Sequence, residues 1–157
     1  AVLERAMAIA RQAGLPLQLA APPNNYFKEV IRPRLAPDRI EYAGEVHGRK
    51  KAALLANARA LVYPVQDAEP FGLVLVEAMA SGLPVVALRR GAVPEIVEQG
   101  VTGWVCDSEQ EMPAAIDRVK SFDREKIRRR AVEKFSCERM ADDFEILMRH
   151  AVEEAGV

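Results

Sequence analysis

The sequence predicts a three-layer α/β/α domain built on an open parallel sheet. Three observations lead there. Short apolar runs alternate with longer amphipathic stretches along the chain, and Gly or Pro marks most of the junctions. The chain has 157 residues and weighs 17.3 kDa, with half of its residues hydrophobic and 29% charged, which suits one domain with a real core.

The elements follow in order. Val2, Leu3, Ala6, Ile9 and Ala10 fall on one face of a helix that Gly14-Leu-Pro16 ends. There is no initiator Met, and the helical pattern is already running at the first residues, so the reading is of a piece of a longer polypeptide. Leu17 to Ala21 is a strand, Pro22 to Asn25 a loop, and Tyr26 to Leu35 a helix. Arg39 to Ala43 is a strand closed by Gly44, Lys51 to Ala58 a helix, and Ala60 to Tyr63 a buried strand bounded by Pro64. Gly72 to Ser81 is a helix, Pro84 to Leu88 a strand, Pro94 to Glu98 a helical turn and Gly103 to Cys106 the last strand. Helices fill Glu111 to Glu154. Strands separated by helices pair in parallel through right-handed crossovers, which gives a Rossmann-like sheet with helices on both faces. Ligands of such sheets bind beyond the carboxyl ends of strands, here the loops after Ala43, Tyr63 and Leu88.

Composition narrows the function. A net charge of -1 argues against a strongly basic nucleic-acid surface, and no nucleic-acid partner is expected. The most apolar stretch, Phe71 to Leu88, is broken by Glu77, Ser81, Gly82 and Pro84, short of the roughly 18 residues of a membrane span. No signal peptide is read at the start, and Cys106 and Cys137 are expected as buried thiols in a cytoplasmic protein. His47 and His150 are too few and too far apart to anchor a zinc site.

The chemistry concentrates between Pro64 and Ala87. Gly72 opens a helix without a Cβ, and the N–H groups of Gly72, Leu73 and Val74 lack intrahelical partners, a fit for a diphosphate. Glu77 stands among apolar neighbours, so its carboxylate needs donors. It lies about 7.5 Å along the helix from Gly72, near the span from a diphosphate to ribose hydroxyls. A structural Arg or a backbone donor would serve it equally well. Glu69 is either a loop acid favoured by the helix dipole or a site group. The two acids, roughly 12 Å apart on a helical ruler, are too distant for a hydrolytic carboxylate pair.

Glu69-Pro-Phe-Gly72, Glu77-Ala-Met-Ala and Gly82-Leu-Pro-Val-Val-Ala together resemble the signature of the family 4 retaining glycosyltransferases. Gly91-Ala-Val-Pro-Glu95-Ile-Val, Gly100-Val-Thr-Gly103-Trp-Val, Arg39-Ile-Glu-Tyr-Ala-Gly44 and Phe135-Ser136 extend the resemblance over nearly the whole chain.

The resemblance implies one half of a GT-B architecture, with residues 1–157 as a single C-terminal donor-binding domain and 136–154 as a crossover-type helix. It implies transfer of a hexosyl group from a nucleotide diphosphate sugar to an acceptor hydroxyl, with retention. No cofactor and no metal are expected, and no Asp-x-Asp motif is present. By similarity Glu69 is the catalytic candidate, beside the anomeric carbon, and Glu77 holds the ribose. The amides of Phe71, Gly72 and Leu73 meet the sugar and distal phosphate, Val46 borders the base, and Lys51 is the cation, with Arg49 and Lys50 as competitors. Gly91 and Glu95 shape a loop near the sugar. Trp104, Cys106 and Met79 are read as packing residues.

The family's first strand of this domain, with its diphosphate-neutralising Arg and Lys, is expected to precede this sequence, as is an N-terminal acceptor domain. Ala21 stands where the family commonly has Gly. The expected partners are the donor, the N-terminal domain of the parent and, peripherally, a membrane. The isolated piece is expected to be inactive. Two alternatives stay open: a non-catalytic nucleotide- or partner-binding module, and a piece of a GT-B nucleotide-sugar epimerase.

Overall fold

A computed structural model describes residues 2–36 and 39–155. Helix α1 (Val2–Ala13) leads into strand β1 (Leu17–Ala20), which pairs in parallel with β2 (Ile40–Gly44). Helix α2 (Gly48–Asn57) then connects to β3 (Leu61–Tyr63), α3 (Leu73–Ala80) to β4 (Val85–Leu88), and the single turn α4 (Val93–Ile96) to β5 (Gly103–Cys106). Strands β3, β4 and β5 form a second parallel sheet in that order. Three helices close the chain: α5 (Met112–Val119), α6 (Arg124–Phe135) and α7 (Cys137–Ala155).

The layers follow from β4. All four of its residues are buried. Because successive side chains of a strand point to opposite faces, Val85 and Ala87 pack with Leu75 and Met79 of α3 and Ile127 of α6. Val86 and Leu88 pack on the other face with Ile9 of α1 and Ile116 of α5. A third cluster joins Met7, Leu19, Phe27, Ile31 and Ile40 around β1 and β2. The three-layer α/β/α class expected from the alternation is therefore the one observed.

Three local expectations are corrected. Residues 26–35 do not form one α-helix: Phe27–Ile31 is a π-helical turn and Arg32–Arg34 a 3-10 turn. Pro33 has no N–H to continue an i→i−4 ladder, and Leu35 is already extended. The sheet is not continuous either, since β1 and β3 do not pair with each other. Cys106 is fully buried as expected, and burial pushes its thiol up to about 11. Cys137 is exposed, because it opens α7, whose Met140, Phe144, Leu147 and Met148 are also exposed. None of the described helices is long and apolar enough to cross a membrane.

A long-range tie joins the end of α2 to the start of α6. The Arg124 guanidinium at the start of α6 donates to the carbonyls of Ala58 (2.9 Å) and Ala56 (2.8 Å), at the end of α2. It satisfies carbonyls that a helix C-terminus leaves without partners. Replacing Arg124 by Ala is expected to cost about 1–2 kcal/mol, discounted for partial exposure, and to lower Tm by roughly 2–8 °C. Arg124→Lys, lacking the planar fork, restores only part of the loss. Thermal unfolding by circular dichroism reads both.

Candidate functional site

Parallel pairing places the carboxyl ends of β1 and β2 on one side of their sheet and those of β3 and β4 on one side of theirs. The loops that leave these ends carry the residues of interest. Past β2, the loop Glu45–His47 turns into α2, whose first turn includes Lys51. Past β3, residues 64–72 lead to α3. Past β4, residues 89–92 lead to α4.

A groove of about 910 Å³ opens beside these loops, and Val46, Lys51, Val74 and Glu77 line it. Lys51 Nζ donates to Glu77 Oε1 at 2.5 Å. The Glu77 side chain retains 41% of its exposure and Lys51 35%, so the acid is not shut inside the core. An ion pair this exposed is worth about 0–1 kcal/mol and separates easily. A carboxylate offers about four lone-pair positions, of which Lys51 takes one. Glu77 thus has a cation partner, which is neither the Arg nor the backbone donor of the plainer sequence reading but Lys51, itself a predicted site residue on the same wall.

The remaining predicted residues form a second group at the N-terminus of α3, outside the groove lining. Gly72 is the N-cap in a left-handed conformation (φ 78°), and no side chain caps the helix end. Phe71 is 41% exposed and sets its ring edge-on to Phe135 at 6.1 Å, while Leu73 is 71% exposed. Two open apolar side chains therefore flank uncapped helix donors.

Glu69 is fixed by its backbone. Its carbonyl accepts the N–H of Ala92 at 3.0 Å, and a Cβ at Gly91 (φ 50°) would overlap the Glu69 backbone. Gly91 is required for that close approach, a more specific role than the shaping of a loop. Glu95 is exposed on α4, and its carbonyl accepts from Lys134. Arg49 and Lys50 are exposed on α2, outside the groove lining. Trp104 is half-buried with Arg118 4.8 Å over its ring, and Met79 is fully buried, both as packing residues.

Sequence reasoning missed Tyr63. At the carboxyl end of β3, its hydroxyl is held above its ordinary pKa by burial first, then by the Glu69 charge and a hydrogen bond to Glu69. The available signal was an aromatic residue with a polar tip ending an otherwise apolar strand.

The contact gives a pH-dependent prediction. A phenol whose folded pKa is raised binds its proton more tightly folded than unfolded, so stability falls as pH rises above the unfolded value near 10. Glu69→Gln removes the charge and is expected to make Tyr63 ionise at lower pH. Difference absorbance of the phenolate on alkaline titration checks this, with Tyr63→Phe assigning the signal.

The sequence profile of the family described as glycosyl transferases group 1 matches residues 13–136. The chain is 34% identical over 142 residues to the MMP α-(1→4)-mannosyltransferase of Mycolicibacterium hassiacum, covering 85% of this chain and 34% of that protein. Among solved structures, sucrose-phosphate synthase from Thermosynechococcus elongatus superposes with a TM-score of 0.74 at 22% identity, over 96% of this chain and 42% of the other. Anabaena HepE, solved in complex with UDP, superposes with a TM-score of 0.71 at 24% identity, over 90% and 44%. The chain thus spans a third to less than half of the length of these relatives.

Proposed function

The chain belongs to the glycosyl transferases group 1 family, and from that premise we propose that it forms the C-terminal, donor-binding domain of a family 4 GT-B enzyme. The complete enzyme transfers a hexosyl group from a nucleotide diphosphate sugar to an acceptor hydroxyl. The observation that carries this reading is the Lys51–Glu77 pair on an open groove wall, on the helix whose N-terminus is uncapped. Complexes of a relative of similar fold with UDP support the nucleotide assignment.

In this reading, Glu77 accepts protons from the ribose hydroxyls, about 7.5 Å from the helix end that receives phosphate. Lys51 exchanges its carboxylate partner for the ligand's negative charge at little cost. The amides of Phe71, Gly72 and Leu73, with the dipole of α3, meet the sugar and the distal phosphate. Val46 borders the base. Glu69, held by Tyr63 and by the backbone packed on Gly91, stands beside the anomeric carbon, where positive charge develops. The bond from that carbon to the phosphate oxygen breaks as one to the acceptor oxygen forms on the same face, and the acceptor's hydroxyl proton passes to the departing diphosphate. Positioning and charge stabilisation supply the rate, and the helix end and Lys51 take the role of a divalent metal.

Calorimetric titration of the parent enzyme with UDP tests the site. Glu77→Ala is expected to weaken binding about tenfold or more, the loss of charge-assisted hydrogen bonds. Glu69→Gln is expected to leave UDP affinity near the wild-type value and to lower kcat about 10²–10³-fold. Unchanged UDP affinity in Glu77→Ala refutes the ribose assignment. Transfer measured in excess EDTA is expected to match that in buffer alone, and loss of activity on chelation refutes the metal-free reading.

A further inference from the structure

The run from Glu69 to Leu73 carries the acid and the three amides of the proposed site, yet little of it is anchored by side chains. Pro70 and Leu73 are exposed, and Gly72 has no side chain. At one end the Glu69 carbonyl is tied to Ala92, and at the other Leu75 of α3 is fully buried. Between those two points Gly72 stands in the left-handed region (φ 78°), where glycine has the widest backbone freedom. The chain can therefore pivot where the amides have to converge.

Among the described residues between Glu69 and α3, Phe71 is the one whose side chain docks on a distant element. Its ring stands edge-on to that of Phe135, with centroids 6.1 Å apart and planes at 85°, an arrangement the ring quadrupole favours.

Phe135 is a firm support. It closes α6 and packs, half-buried, against the core cluster that includes Leu75 and Met79 of α3 and Ile127 and Ala131 of α6. The ammonium of Lys134 lies 5.2 Å from its ring centroid and donates to the Glu95 carbonyl on α4. Helix α4 follows directly on Gly91 and Ala92, which pack on the Glu69 backbone. The last two residues of α6 thus reach both loops of the site, Phe135 through Phe71 and Lys134 from behind α4.

We infer that Phe135 is a positioning residue for the donor: through Phe71 it sets the direction of the Phe71, Gly72 and Leu73 amides, and so their grip on the distal phosphate. Hydrogen bonds weaken steeply as the N–H turns away from its acceptor, so a small rotation at Gly72 is enough to disperse that grip. Phe135 lies outside the groove lining and acts through Phe71 alone. The inference rests on the phosphate contact proposed for these amides and names the residue on which that contact depends. Its effect is confined to the phosphate end, because Glu77 and Lys51 hold the other end of the ligand by their own side chains.

Calorimetric titration of the parent enzyme with UDP and, separately, with UMP tests it, because UMP lacks the distal phosphate. The wild type is expected to bind UDP more tightly than UMP. Phe135→Leu keeps an apolar side chain but loses the ring edge. It is expected to weaken UDP about three- to tenfold, the worth of an edge-to-face pair, and to leave UMP at its wild-type affinity. Phe135→Tyr, which keeps the ring, is expected to bind UDP as the wild type does. Phe71→Leu retains the amide and is expected to match Phe135→Leu, with the double variant no weaker than either single one. Equal losses for UDP and UMP, which mark a merely structural role, overturn the inference. So does an unchanged UDP affinity, a Phe135→Tyr variant as weak as Phe135→Leu, or a double variant whose loss is the sum of the two. A wild-type protein that binds UDP and UMP alike refutes the phosphate assignment itself, and the inference falls with it.

Discussion

Parallel pairing of β4 with strands on both sides is the constraint from which the rest of the structure follows. Because β4 carries Val85, Val86, Ala87 and Leu88 with every side chain buried, its faces must be covered by different helices. Parallel neighbours require helical crossovers, and crossovers fix which end of the sheet receives helix N-termini. The uncapped start of α3, the Lys51–Glu77 pair and the Glu69 loop all sit where that geometry puts them. A change that slipped β4 by one residue would turn Val85 and Ala87 towards α5 and disorganise both core clusters together.

Within this frame the site divides into two kinds of rigidity. The Glu69 loop is held by main-chain contacts, with Ala92 donating to the Glu69 carbonyl and Gly91 leaving room for the strand of backbone above it. Such contacts do not depend on pH or salt. Lys51 and Glu77 are held by each other through exposed side chains, an arrangement that salt screens and a charged ligand can open. Fixed geometry thus lies beside the carbon at which bonds change in the proposed reaction, and yielding charge lies where a ligand is gripped.

Much of this was legible in the sequence because it is written locally. Gly and Pro bracket β4, Glu77 is conspicuous on an apolar helix, and Gly72 precedes that helix, so element order and the principal acids could be placed without coordinates. What was not legible depends on residues distant in sequence. The Tyr63 contact with Glu69 needs the path of the β3–α3 loop, and the demand for Gly at 91 comes from a backbone segment more than twenty residues earlier. The π-helical turn at Phe27–Ile31 carries no strong composition signal beyond Pro33. Cys137 was misjudged because amphipathic spacing shows that α7 has an apolar face, while showing nothing of whether that face meets the core.

The two thiols end in opposite chemical situations. Cys106 is enclosed between β5 and the helices beside it, and burial, which pushes its pKa up to about 11, keeps it a thiol at neutral pH. Peroxides and alkylating agents, which react with the anion, therefore pass it by while the accessible sulfur at the head of α7 is consumed. Of the two sulfurs, the one at the head of the last helix is therefore where oxidation of this chain is expected to begin.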